Sequence, residues 1–246
     1  MDERQSGLKE WQRSGPLIIA NRLLCLRHVV HGFGTKDWGK DNFEKDPALE
    51  GFRTLFLRQI HSDMIHVIKT GEQEDGVKKI AGDAVVTEIP GILLVVKTAD
   101  CLPVLLADEN RPVVAAVHCG WRGTVKGILG KTVGLLKASF GCSSSSLVAV
   151  FGPSISGDCY EVGEDIIRVF INNGFTDLCF RPSSKKKGKY FLDLNEANRI
   201  QLKETGLKPD NIISIDLCTH CESDLFSYRV EKDNAGRNFS FIGLSF

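Results

Sequence analysis

The sequence predicts an α/β fold of the α+β type, with mixed β-sheets layered in a sandwich and flanked by helices. Short runs of aliphatic and β-branched residues, bounded by turn formers, cluster between residues 84 and 118. Apolar residues at three-to-four spacing begin only after residue 123. The two kinds of segment do not alternate strictly, which argues against a doubly wound parallel sheet.

Residues 1–30 read as a peripheral lead-in with a single strand at 16–20. Strands at 84–86, 92–96, 104–106 and 113–117 are set off by Pro90-Gly91 and by the polar run 108–112. Val125, Ile128, Leu129, Thr132, Val133, Leu135 and Leu136 trace one face of an amphipathic helix that stops at Gly141. A strand at 147–151 follows, then helices at 163–175 and 194–205, the second opened by Asp193 as N-cap and closed by Gly206. Strands at 212–216 and 239–244 end the chain, the last entered through a turn at 234–237. The lysine-rich run 183–189 reads as an exposed, mobile loop. Neither a repeat nor a linker divides the chain, so residues 1–246 are expected to form a single domain.

Composition narrows the function classes. The chain has 246 residues, 42% hydrophobic and 25% charged, with 31 basic residues against 31 acidic ones. Such a chain buries enough surface to need no disulfide or metal to fold. Zero net charge gives no electrostatic footprint for nucleic acid or an anionic membrane, and it leaves self-association into a homo-oligomer unopposed. A polar, acidic N-terminus and the absence of any run of 18 apolar residues predict a cytoplasmic protein. Eight cysteines without framework spacing are then expected to be reduced thiols. Cys218-Thr219-His220-Cys221 has no second C-x-x-C pair to complete a zinc ribbon and reads as structural thiols.

Four polar clusters interrupt the apolar strands: Gln59-Ile60-His61-Ser62, Thr98-Ala99-Asp100-Cys101-Leu102-Pro103, His118-Cys119-Gly120-Trp121-Arg122-Gly123 and the stretch 152–157. Strand ends are where such folds place ligands, because the sheet fixes the backbone and leaves the side chains free. Cys101 and His118 can be a nucleophile with its base or two ligands of one metal ion, and local sequence leaves both open.

These clusters, with Tyr160-Glu161-Val162-Gly163 and Phe226-Ser227-Tyr228-Arg229, resemble the YfiH/YlmD family in order over roughly residues 30–246. The family, to which the vertebrate FAMIN protein is related, has carried the label of a laccase-type polyphenol oxidase. The resemblance implies a fold like the catalytic domain of a bacterial glutamine deamidase toxin. It adds His61 to Cys101 and His118 as ligands of one zinc ion per chain, with a fourth position open as in catalytic sites. It implies phosphorolysis of adenosine, inosine, guanosine and methylthioadenosine with inorganic phosphate as co-substrate, and deamination of adenosine. On that reading Arg122, at a helix N-terminus spanning Gly120 to Gly123, and Arg229 receive phosphate. Asp100 orients a zinc-bound group or supplies a proton, and Trp121 stacks on the base. Lys36 stands where bacterial members often have arginine, so it keeps the charge and loses the planar fork. Copper is not expected, because the six histidines cannot furnish the centres of a multicopper oxidase. Two rivals remain: a cysteine amidase using Cys101 and His118, for example on peptidoglycan precursors, and a nucleoside-binding module without turnover.

Overall fold

The structure, a computed structural model, describes residues 9–69 and 80–246. In chain order the first strands are β1 Trp11–Ser14, β2 Leu17–Ala20, β3 Val29–Gly34, β4 Arg53–Phe56, β5 Ile65–Ile68, β6 Ala84–Thr87, β7 Ile92–Thr98 and β8 Leu102–Asp108. Then come β9 Val114–Cys119, β10 Leu147–Phe151, β11 Glu161–Gly163, β12 Phe180–Pro182, β13 Lys189–Leu192, β14 Ile212–Ser214 and β15 Asn238–Leu244. The helices are α1 Asn21–Leu24, α2 Asn42–Lys45, α3 Trp121–Val125, α4 Ile128–Phe140, α5 Glu164–Asn172, α6 Leu194–Glu204 and α7 Tyr228–Glu231.

Two mixed six-stranded sheets, ordered β1-β2-β3-β15-β7-β4 and β14-β10-β8-β9-β6-β5, form the sandwich, and β11-β13-β12 make a third, small sheet. Most pairs are antiparallel, while β4 with β7, β5 with β6 and β10 with β14 run parallel. Leu94, Val96 and Ile242 of the first sheet meet Val85, Leu105, Ala116 and Val150 of the second in one buried core. Alternate residues of the second sheet, among them Val86, Leu106, Val117 and Ala149, point the other way and bury against Leu129, Val133 and Leu136 of α4 and Leu202 of α6. Aliphatic runs buried on both faces are what the sequence showed as continuous apolar stretches. The outer face of the first sheet is covered by aromatics, with Trp38 stacked on Phe241 at 5.7 Å and Phe43 edge-on to Phe56, Phe239 and Phe241.

The N-terminal segment departs from its expected peripheral place. Ile18, Ala20 and Leu23 have no accessible surface, and β3 is paired to β15 from Phe33 to Val29. The predicted helix through 125–140 is two helices, broken at Gly127, whose φ of 75° suits a residue without Cβ. Among the described residues, no helix is long and apolar enough to cross a membrane.

Candidate active site and metal centre

Strand register assembles the site at one end of the second sheet. Leu102 faces Cys119 and Pro103 faces His118 in the β8–β9 pair, which sets Cys101 beside His118. Ala84 faces Val117 across β6 and β9, so Asp83 arrives at the same point. Because β5 starts alongside β6, the 59–62 segment that precedes it lies at that end too. Gly152, following β10, bonds through its N–H to the Pro103 carbonyl at 2.9 Å.

His61, Cys101 and His118 each offer one ligand atom, and these atoms lie within 4.8 Å of one another. Cys101 Sγ is 3.9 Å from His61 Nε2, and the imidazole rings meet edge-on at 4.9 Å. Ligands at ordinary zinc–nitrogen and zinc–sulfur lengths stand about 3.6 Å apart, so this donor set fits a shared ion of that kind. His118 Nδ1 lies 2.8 Å from Asp83 Oδ1, and a proton donated there leaves Nε2 as the nitrogen that faces the other two ligand atoms. Gly120 keeps the centre clear: a Cβ there would lie 2.8 Å from His61 Cδ2 and 3.2 Å from Cys101 Sγ.

Asp83, which the sequence gave no reason to single out, organises the cluster. Its carboxylate also accepts the N–H groups of Ile60, His61 and Ser62 and the Ser62 hydroxyl, at 2.6–3.2 Å. These bonds hold His61 in the left-handed region at φ 57°. Burial opposes ionisation of Asp83, but His118 and Ser62 keep it far below the usual carboxylate range. Burial likewise opposes charge on Cys101 and His118. The imidazoles nevertheless hold the Cys101 thiol below its ordinary value, and Cys101 and Asp83 hold His118 above its own.

The other expected site residues have mixed fates. Asp100, at φ 91°, does not present a free carboxylate: Oδ1 accepts the Thr219 and Ser227 hydroxyls at 2.8 and 2.7 Å, and Oδ2 the Arg229 N–H at 2.6 Å. It anchors the chain beside Cys101, where a group that orients a zinc-bound ligand or supplies a proton was expected. Lys36 pairs with Glu231 Oε1 at 2.8 Å, and its ammonium lies 5.4 Å over the Phe226 ring. Gly123 serves packing, since a Cβ would come 3.0 Å from the Ser62 carbonyl. Trp121 packs against the core formed by Val162, Phe170 and Leu194, with the Arg122 guanidinium 4.3 Å over its ring. Arg122 is exposed and makes no ion pair among the described residues, and the helix whose first turn carries it is only five residues long. Arg229 Nη1 donates to the Glu161 carbonyl at 2.8 Å, and its guanidinium lies 5.2 Å over Tyr160. Tyr160, quoted in a motif but given no role, stands among Cys101, Asp100, Arg122 and Arg229; burial first, and the Cys101 charge next, push its phenol up.

A sandwich with an open imidazole and thiolate cluster at a sheet end defines a class, and comparison places the chain within it. The family described as multi-copper polyphenol oxidoreductase laccase matches residues 41–245. A purine nucleoside phosphorylase of Clostridium acetobutylicum is 37% identical over 76% of this chain and 75% of its own length. An adenosine deaminase, RL5, from an unknown prokaryote is 37% identical over 75% of this chain and 72% of its own length. The crystal structure of a Bacillus licheniformis protein, YfiH, superposes with a TM-score of 0.87 at 28% identity, covering 97% of this chain and all of that one. The chain belongs to this laccase-labelled family, that of the YfiH and YlmD proteins. Of the six histidines, His61 and His118 share this site. His31 is buried against the Ala20 N–H and His66 is bonded to the Ala81 carbonyl.

Proposed function

We propose that the chain is a zinc-dependent purine nucleoside enzyme. It cleaves adenosine, inosine, guanosine and methylthioadenosine with phosphate to the base and the (methylthio)ribose 1-phosphate, and it deaminates adenosine. The observation that carries this reading is the three-donor cluster with an open side, braced by a buried carboxylate, beside two arginines and a tyrosine. The names of the relatives support the substrate class.

His61, Cys101 and His118 would hold the zinc, which when bound supplies Lewis acidity and a water of lowered pKa. Asp83 keeps the proton on His118 Nδ1, so that Nε2 remains a ligand. Arg122 and Arg229 bind the phosphate oxyanion, the first with a guanidinium that makes no ion pair among the described residues and the second with donors left beyond its bond to Glu161. Tyr160 keeps its proton at neutral pH and can donate a hydrogen bond to the substrate. Asp100 fixes Arg229 relative to Cys101 through the backbone N–H bond.

Adenosine incubated with the zinc-loaded chain should give adenine only when phosphate is present, and inosine without it. Arg122→Ala should depress adenine release more than inosine formation. Absence of both products, with zinc bound, contradicts the proposal. The Cys101, His118 and Asp83 arrangement also suits the cysteine amidase, but that reading leaves His61 without a part. Loss of activity on thiol alkylation, with no dependence on metal, would favour the amidase.

A further inference from the structure

A second set of soft donors shares no residue with the first. Taken alone, Cys218 and Cys221 lack a partner pair. The fold brings Cys159 to them from the turn before β11, so that the three sulfurs lie within 4.8 Å of one another. Cys159 Sγ and Cys221 Sγ are 3.5 Å apart. Thiolates sharing one zinc ion at the ordinary zinc–sulfur length stand about 3.8 Å apart, so the spacing is that of ligands around a common centre.

The backbone is shaped around these sulfurs. The Ser156 N–H donates to Cys218 Sγ at 3.3 Å. The Cys221 and Glu222 N–H groups both close on the Cys218 carbonyl, at 3.0 and 2.9 Å, in a tight turn that carries two of the thiols. Cys159 N–H bonds the Ser156 carbonyl at 3.0 Å, and Ser154 pairs with Cys218 in a bridge, so the two segments are tied together by their own hydrogen bonds. Cys221 is exposed and the other two are half-buried. Cys218 also lines an open cleft with Ser154, Ser156 and Asp216, which gives an ion a way in.

We propose that Cys159, Cys218 and Cys221 form a second metal site, for a thiophilic cation of the zinc class, with its fourth position left to solvent. Binding forms three metal–sulfur bonds and releases the thiol protons to solvent, with no change of oxidation state. The site is placed to act on the first one. Thr219, between the two turn cysteines, donates to Asp100, and Asp100 precedes Cys101. An ion clamping the turn therefore steadies the segment that presents Cys101.

The test uses the full chain carrying Cys101→Ser, which removes the first cluster from the measurement. Cadmium is titrated in the presence of a phosphine reductant and read by thiolate-to-cadmium charge-transfer absorption. About one ion per chain should bind, with proton release. The band should disappear when Cys221→Ser or, separately, Cys159→Ser is added, each variant being checked for a cooperative unfolding transition. Because Cys221 is exposed, its replacement leaves the core untouched. A chain that gives no band, or a band unchanged by both substitutions, overturns the proposal. So does a mass two hydrogens light that maps to a Cys159–Cys221 disulfide while the phosphine is present.

Discussion

Asp83 has no accessible surface and accepts five hydrogen bonds, four from the 60–62 segment and one from His118. One carboxylate thus sets the backbone of the first histidine and the tautomer of the second. Asp83→Asn turns an acceptor into a donor facing other donors, which should cost about 3 kcal/mol of stability by denaturant unfolding. It should also weaken zinc roughly 10–100-fold in chelator competition. Unchanged zinc affinity would show that the bracing is incidental. Gly120→Ala isolates crowding, because the glycine has an ordinary φ of −73° and only its missing Cβ keeps space beside His61 and Cys101. The variant should lose zinc while costing about 1–3 kcal/mol in stability; full zinc occupancy would contradict the placement of the site. The sequence exposed Cys101 and His118 through polar residues in apolar strands, and the family resemblance added His61. Asp83 stayed hidden because a Gly-Asp pair before a strand looks like a turn, and its partners come from two other strand ends. Cys159 was hidden likewise, far along the chain from Cys218.

Most elements were legible in proportion to their burial, with β3, buried at nearly every position, the exception. The runs that became β6, β7, β9, β10 and β15 are wholly or almost wholly buried and were expected within about two residues of their observed limits, whereas β8 was expected only at 104–106 and runs from Leu102 to Asp108. β1, β11, β12 and β13 are short and half-exposed, so their side chains carry little alternation, and none was expected. β3 and β4 pair within the first sheet through residues too mixed in polarity to stand out. The α3–α4 break was also missed, because the apolar stripe runs straight across it and only Gly127 marks it. Nothing lies within 4 Å of a Cβ built on Gly127, so Gly127→Ala tests backbone conformation alone. It should cost about 1–2 kcal/mol in urea unfolding and leave zinc binding intact. A neutral result would mean that the junction tolerates a different turn.

At the scale of the molecule, residues before the family match, which begins at 41, help close the first sheet. His31 on β3 is part of that closure, accepting the Ala20 N–H at 3.0 Å. Burial pushes its imidazole down to about 4 from an ordinary 6.5. The unfolded chain therefore takes up a proton below pH 6.5 that the folded chain refuses until about pH 4. The stability is whole above 6.5 and should fall by about 3 kcal/mol as pH drops through that window. Urea unfolding across the window should show a shallower decline in His31→Gln, and parallel curves would refute the assignment.

On the proposed function, a metal held by His61, Cys101 and His118 runs nucleoside chemistry at the open end of the second sheet. The most direct test strips the chain with a chelator and follows phosphate-dependent adenine release as zinc is restored. Activity should vanish on stripping, return with zinc in the parent chain, and stay absent in Cys101→Ser and His118→Ala. Adenine release that survives stripping, or that zinc restores to Cys101→Ser, would contradict the account.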